Sequence, residues 1–133
     1  MNRVTSRFGL RTHPVTGEQN SFHNGVDIAG DEKFLYANSD KMKSAEAFVD
    51  KINGNKVVID LGEGYRLIIC HLEYVSSDIV DGKFTDTFPK DTFIGKMGTT
   101  GRSTGPHFHF SIAKGYKYLD PTNVINNLVR WRA

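Results

Sequence analysis

Two runs rich in β-branched residues, Lys56-Val57-Val58-Ile59-Asp60-Leu61 and Tyr65-Arg66-Leu67-Ile68-Ile69-Cys70-His71-Leu72, flank Gly62-Glu63-Gly64. Such side chains fit a pleated surface, and the glycine break lets the chain reverse, so the segment predicts an antiparallel hairpin. Further strands are expected at Thr92 to Met97 and His107 to Ala113. Asp40 to Lys51 reads equally as strand or short helix, because its own propensity favours helix and its neighbours favour sheet. Asp120-Pro121-Thr122 can start a helix running from Asn123 to Trp131, with Val124, Leu128 and Trp131 on one face. The 13 glycines are spread throughout, as expected of short strands joined by turns. The fold class is therefore mainly β, an antiparallel sheet or sandwich with a short C-terminal helix. At 133 residues the chain has room for one core, so residues 1–133 are expected to form a single domain.

Composition narrows the function classes. The chain is 38% hydrophobic and 24% charged, as in globular proteins. No apolar stretch approaches the roughly 20 residues of a bilayer-spanning helix, so no membrane role is expected. The net charge of +2, from 17 basic and 15 acidic residues, is too weak and mixed to predict nucleic acid as a partner. A single cysteine excludes an intramolecular disulfide framework and any Cys-rich zinc module.

The five histidines carry the chemistry. In a strand, His107 and His109 point to one face while Phe108 and Phe110 point to the other. His23 and Asp27 lie four apart and would be about 13 Å apart in a straight strand, too far to hold one ion. The turn dipeptide Asn24-Gly25 allows the necessary bend, with Val26 and Ile28 anchored in the core. One histidine, one carboxylate and one of the two strand histidines would make a three-ligand site with a fourth position open, the mark of a catalytic rather than a structural zinc. Mixed imidazole and carboxylate ligation suits zinc better than magnesium or copper(I). His71 follows Cys70 directly, so the two should face opposite sides of a strand; Cys70 reads as a small buried hydrophobe. A phosphoryl carrier with paired histidines is the competing class, but it leaves Asp27 without a task.

The order His23-x-x-x-Asp27, then Cys70-His71-Leu72, then Gly101-Arg102-Ser103-Thr104-Gly105-Pro106-His107-Phe108-His109-Phe110 resembles the M23 family of zinc metallopeptidases, the lysostaphin and LytM-like group. The likeness begins near Ser6 and runs to Asp120-Pro121. It implies the duplicated-hybrid-motif type of antiparallel fold with a groove across the sheet. It also implies His23, Asp27 and His109 as ligands of Zn2+, and His107 and His71 as the non-ligand histidines beside it. Ile69 stands where many members have tyrosine, Lys41 to Asn53 lacks the usual strand start, and Asp78 to Lys90 is longer than usual. Gly17 replaces a tyrosine of the lysostaphin branch, which argues against that branch's glycine-bridge specificity.

The resemblance implies a zinc endopeptidase that hydrolyses peptide bonds in bacterial peptidoglycan, in stem-peptide cross-links, with D-alanine–diaminopimelate favoured. His107 is the expected general base; His71 is expected to stabilise the oxyanion or protonate the leaving amine, and the roles are exchangeable. The small-residue stretch Gly98 to Gly105 is expected to let an extended peptide approach, with Arg102, Ser103 and Thr104 as substrate-binding candidates. His13 reads as structural or groove-lining. A monomer acting at the cell wall is expected. Met1 to Ser6 show no secretory signal, which suggests a phage lysin, a virion-associated lysin or the catalytic domain of a longer wall hydrolase. The alternative within the same fold is a non-catalytic domain that binds wall or regulates another hydrolase.

Overall fold

Strand pairing is organised around the hairpin that reverses at Gly62, Glu63 and Gly64. The computed structural model describes residues 1–11 and 21–133. In chain order the elements are β1 (Arg3–Ser6), β2 (Gly9–Arg11), β3 (Ser21–His23), β4 (Val26–Ala29), β5 (Phe34–Ala37), β6 (Ser44–Asp50), β7 (Gly54–Gly62), β8 (Tyr65–Val75), α1 (Ser77–Val80), β9 (Phe93–Met97), β10 (Phe108–Lys114), β11 (Lys117–Leu119), α2 (Ile125–Leu128) and β12 (Val129–Arg132). The main sheet runs β1-β4-β10-β8-β9-β5-β12, with β6-β7 added against β8 and β11 against β10; β2 and β3 form a separate pair. His13 and Gly17 lie outside the described residues. No helix among the described residues is long and apolar enough to cross a membrane.

The eleven-residue β8 changes partner along its length. Tyr65 to Cys70 pair with β10, whereas Leu72 to Val75 pair with β9. His71 sits between the two halves with a left-handed φ of 65°. On the β7 side the register slips there too: Asn55 opposes Leu72 but Val57 opposes Ile69, so two steps of β7 span three of β8. This is a β-bulge, which bends the strand and redirects a side chain. The expectation that Cys70 and His71 simply alternate is thus replaced by a break in the alternation at His71.

Within the uncertain segment Asp40 to Lys51, Ser44–Asp50 is strand β6, because seven register pairs with β7 outweigh its helical propensity. The long connection around Asp78 to Lys90 opens with α1 (Ser77–Val80), which the sequence did not signal. It also sends Phe88 fully into the core, with Phe84 edge-on to it at 4.8 Å. The C-terminal helix is shorter than predicted. Only Ile125–Leu128 is helical, and Trp131 lies in β12, paired with Leu35 of β5. Pairing with β5 completes that edge of the sheet and brings the indole to 6.3 and 6.2 Å from the rings of Phe108 and Phe110. The apolar spacing of Val124, Leu128 and Trp131 suited a helix, but Val124 is exposed.

Phe108 and Phe110 are completely buried, with Val26, Ile28, Leu67 and Ile69 in the same core. Their burial fixes the opposite face of β10, where the histidines stand. Truncating Phe110 to alanine should therefore cost about 3–5 kcal/mol of stability, read as a lower urea midpoint. A loss below about 1 kcal/mol would contradict this placement of the core.

Candidate metal centre

His23 ends β3, Asp27 lies in β4, and Asn24-Gly25 makes the bend between them. The bend presses on β10: a Cβ on Gly25 would lie 2.7 Å from Ser111 Oγ and would overlap the Phe110 carbonyl oxygen. Close backbone approach is the reason for glycine here. Asp27 is the register partner of His109, so the pairing of β4 with β10 sets these two side chains beside each other. The bend then swings His23 onto the same face. One ligand atom from each of His23, Asp27 and His109 lies within 4.8 Å of the other two.

The far side of each imidazole decides what the near side offers. His23 Nδ1 lies 2.9 Å from the Arg7 carbonyl oxygen, which can only accept, so Nδ1 carries the proton and Nε2 a lone pair. That Nε2 faces His109 Nδ1 at 3.3 Å and Asp27 Oδ1 at 3.4 Å. His109 Nε2 lies 3.1 Å from Asn24 Oδ1 and 3.0 Å from Ser111 Oγ, whose hydroxyl donates to the same Asn24 oxygen at 3.2 Å. The network is satisfied when His109 Nε2 carries the proton, which leaves a lone pair on Nδ1, 2.8 Å from Asp27 Oδ1.

Three lone pairs thus converge on one point, an arrangement that repels itself unless a cation lies between. A tetrahedral zinc with ligands at about 2.0–2.1 Å would space them by about 3.3–3.4 Å. The separations of His23 Nε2 from its two neighbours match that spacing. The donor set therefore fits a divalent metal. Burial alone would push the Asp27 carboxyl up, but the imidazoles of His109, His23 and His107 beside it hold it well below the usual carboxylate range, ready as an anion.

The two remaining described histidines border this cluster. Their rings are 5.4 Å apart, and His71 is 5.9 Å from His109. His107 Nε2 lies 3.6 Å from Asp27 Oδ1. Each donates its Nδ1–H to a main-chain carbonyl of the loop between β9 and β10: His71 to Thr100 at 2.8 Å, His107 to Gly105 at 2.7 Å. Both Nε2 atoms are therefore acceptors. Burial lowers the pKa of His71 and keeps it neutral. The tautomer refines the expected role of His71: its Nε2 can protonate a leaving group only after first taking up a proton.

Of the loop residues expected at the substrate, Ser103 is half-buried, donating to the Gly105 carbonyl at 2.9 Å and lying 3.4 Å from His107 Nδ1. Arg102 and Thr104 are exposed on the same loop. Sequence reasoning left the acceptors behind the imidazoles unidentified. Ser111 had a signal, being two residues beyond His109 and so on the same strand face. Arg7 and Thr100 had none, because their contributions come from the main chain.

An antiparallel sheet that bends a His/Asp turn onto an H-x-H strand is the fold of the lysostaphin and LytM group. The catalytic domain of lysostaphin from Staphylococcus simulans superposes with a TM-score of 0.72 at 22% identity, covering 93% of this chain and 92% of that one, a likeness of fold alone. The model of peptidase family M23 matches residues 21–121, and the chain belongs to that family. Peptidoglycan DD-endopeptidase ShyC of Vibrio cholerae is 32% identical over 124 residues, 92% of this chain and 27% of ShyC. The crystal structure of a zinc containing peptidase from Vibrio cholerae matches with a TM-score of 0.69 at 30% identity, over 88% of this chain and 35% of that one. The chain spans between a quarter and a third of the length of the curated relatives it matches.

Cys70 takes no part in the cluster. Its thiol is buried, points at Asn53 Oδ1 (3.5 Å), and is pushed up to about 12 by desolvation. Against a free thiol, its thiolate fraction near pH 8 falls by roughly a thousandfold or more. A thiol-directed disulfide reagent should label Cys70 only on unfolding; rapid labelling of the native protein would contradict this burial.

Proposed function

We propose that residues 1–133 act as a single zinc-dependent endopeptidase domain that hydrolyses peptide bonds in bacterial peptidoglycan. The convergence of lone pairs from His23, Asp27 and His109 carries this reading, and family membership supports it. We assign those three as the metal ligands. A relative named as a peptidoglycan DD-endopeptidase supports stem-peptide cross-links as the substrate, and D-alanine–diaminopimelate is the bond proposed. The proposed setting is the cell wall, reached as a monomer, either as a lysin or as part of a longer hydrolase.

When bound, zinc supplies Lewis-acid polarisation of a carbonyl and lowers the pKa of water toward about 7. His107 Nε2, an unprotonated acceptor beside Asp27, takes a proton from the attacking water as its oxygen bonds to the carbonyl carbon. The same proton is then available to the amine as the C–N bond breaks. His71 Nε2 accepts from the other hydrogen of that water and so orients it; the two histidines can exchange these tasks. The exposed Arg102 and Thr104, with Ser103 between them, form the proposed wall of the peptide groove.

Purified sacculi of several chemotypes, treated with the zinc-loaded protein, should release products bearing new amines on diaminopimelate. A chelator should abolish this, and added zinc should restore it. Asp27→Ala should lose zinc and activity together, whereas His107→Ala should keep zinc and lose about 10²–10⁴-fold in rate. Stoichiometric zinc with no new amine from any chemotype would overturn the hydrolase reading.

A further inference from the structure

The loop between β9 and β10 does more than join two strands. It leaves through the gap where β8 changes partners, and a bridge between Gly98 and His107 closes its base. Its far end docks on the β6–β7 turn. Gly54 and Gly101 meet there, both with left-handed φ, 65° and 74°. A Cβ on Gly54 would collide with Thr100 Oγ1, and one on Gly101 with the Gly54 nitrogen. The Arg102 N–H donates to the Ile52 carbonyl at 2.8 Å, and the His71 N–H to the Asn53 carbonyl at 2.8 Å.

Thr100 is the node of this docking. Its hydroxyl donates to the Leu72 carbonyl at 2.6 Å and accepts from the Asn55 N–H at 3.0 Å, tying β8 to β7 across the bulge. The Asn55 side chain adds bonds to the Leu72 and Glu73 carbonyls, both at 3.0 Å. Thr100's own carbonyl is then fixed where it receives His71 Nδ1–H. A left-handed, non-glycine residue inside a strand is strained and persists only where its surroundings over-determine it.

We infer that Thr100 is a positioning residue: its hydroxyl locks the bulge so that its carbonyl holds His71 in the Nδ1–H tautomer, with Nε2 directed at the metal cluster. The inference rests on the proposed peptidase reading for its catalytic consequence, but not for its structural content. Thr100 is not one of the three proposed metal ligands and acts through His71.

The test combines kinetics with nitrogen-resolved NMR of the histidine rings in the zinc-loaded protein. In the wild type, His71 should show a protonated Nδ1 and an unprotonated Nε2; the opposite tautomer overturns the inference whatever the variants do. Thr100→Val should keep zinc and KM, lose about 10- to 100-fold in kcat, and scramble the His71 tautomer. Thr100→Ser, which keeps the hydroxyl, should restore both. A Thr100→Val protein with unchanged kcat, or with reduced kcat and an intact His71 tautomer, would refute the assignment. Should the wild type cleave no wall peptide, the functional reading fails, while the tautomer comparison still decides whether Thr100 holds His71.

Discussion

Three lone pairs aimed at one another cannot be stable in isolation. Two imidazole nitrogens and a carboxylate oxygen, separated by 2.8 to 3.4 Å, need a positive charge between them. What prevents them from turning away is the hydrogen bonding behind them. Arg7 holds His23, and Asn24 with Ser111 holds His109. Rotating either ring would break these hydrogen bonds, each worth about 0.5–1.5 kcal/mol. The site is therefore organised in advance of the metal, and the backbone contributes as much to its form as the side chains that face inward.

The sheet supplies that organisation through two breaks in regularity. One is the Asn24-Gly25 bend, which folds a four-residue spacing back onto β10. The other is His71, where β8 passes from β10 to β9. A continuous β8 would carry one partner along its whole length and leave no gap for the loop that approaches His71 and His107. Both irregularities are held by close backbone contacts at glycine: Gly25 against Phe110 and Ser111, and Gly54 against Gly101. The regular parts of the fold bury Phe108 and Phe110 on the far side, with Trp131 half-buried against them, and so resist displacement of the strand that carries His107 and His109.

The sequence made some of this legible, and physics explains the rest. Period-two alternation in His107 to Phe110 specifies a strand with imidazoles on one face, and β10 has that form. The hairpin was readable because a glycine-rich break separates two β-branched runs. The His23–Asp27 bend could be argued from distance alone. By contrast, Asp40 to Lys51 was undecided because its partner strand, not its composition, determines its state. Trp131 was assigned to a helix because an i, i+4, i+7 spacing says nothing of an unfilled sheet edge. The bulge at His71 and the carbonyls of Arg7, Thr100 and Gly105 left no trace in residue types, since any residue brings a carbonyl. Ser111 and Asn24 were within reach of strand periodicity and proximity to His23 and His109 in the sequence.

The position of a bound metal is the most direct test of the cluster. Crystals of the zinc-loaded protein, measured on both sides of the zinc absorption edge, should give one strong anomalous peak per chain. It should lie at bonding distance from His23 Nε2, Asp27 Oδ1 and His109 Nδ1, with no protein atom at the fourth corner. A peak elsewhere, or a zinc enclosed by four protein ligands, would contradict the account.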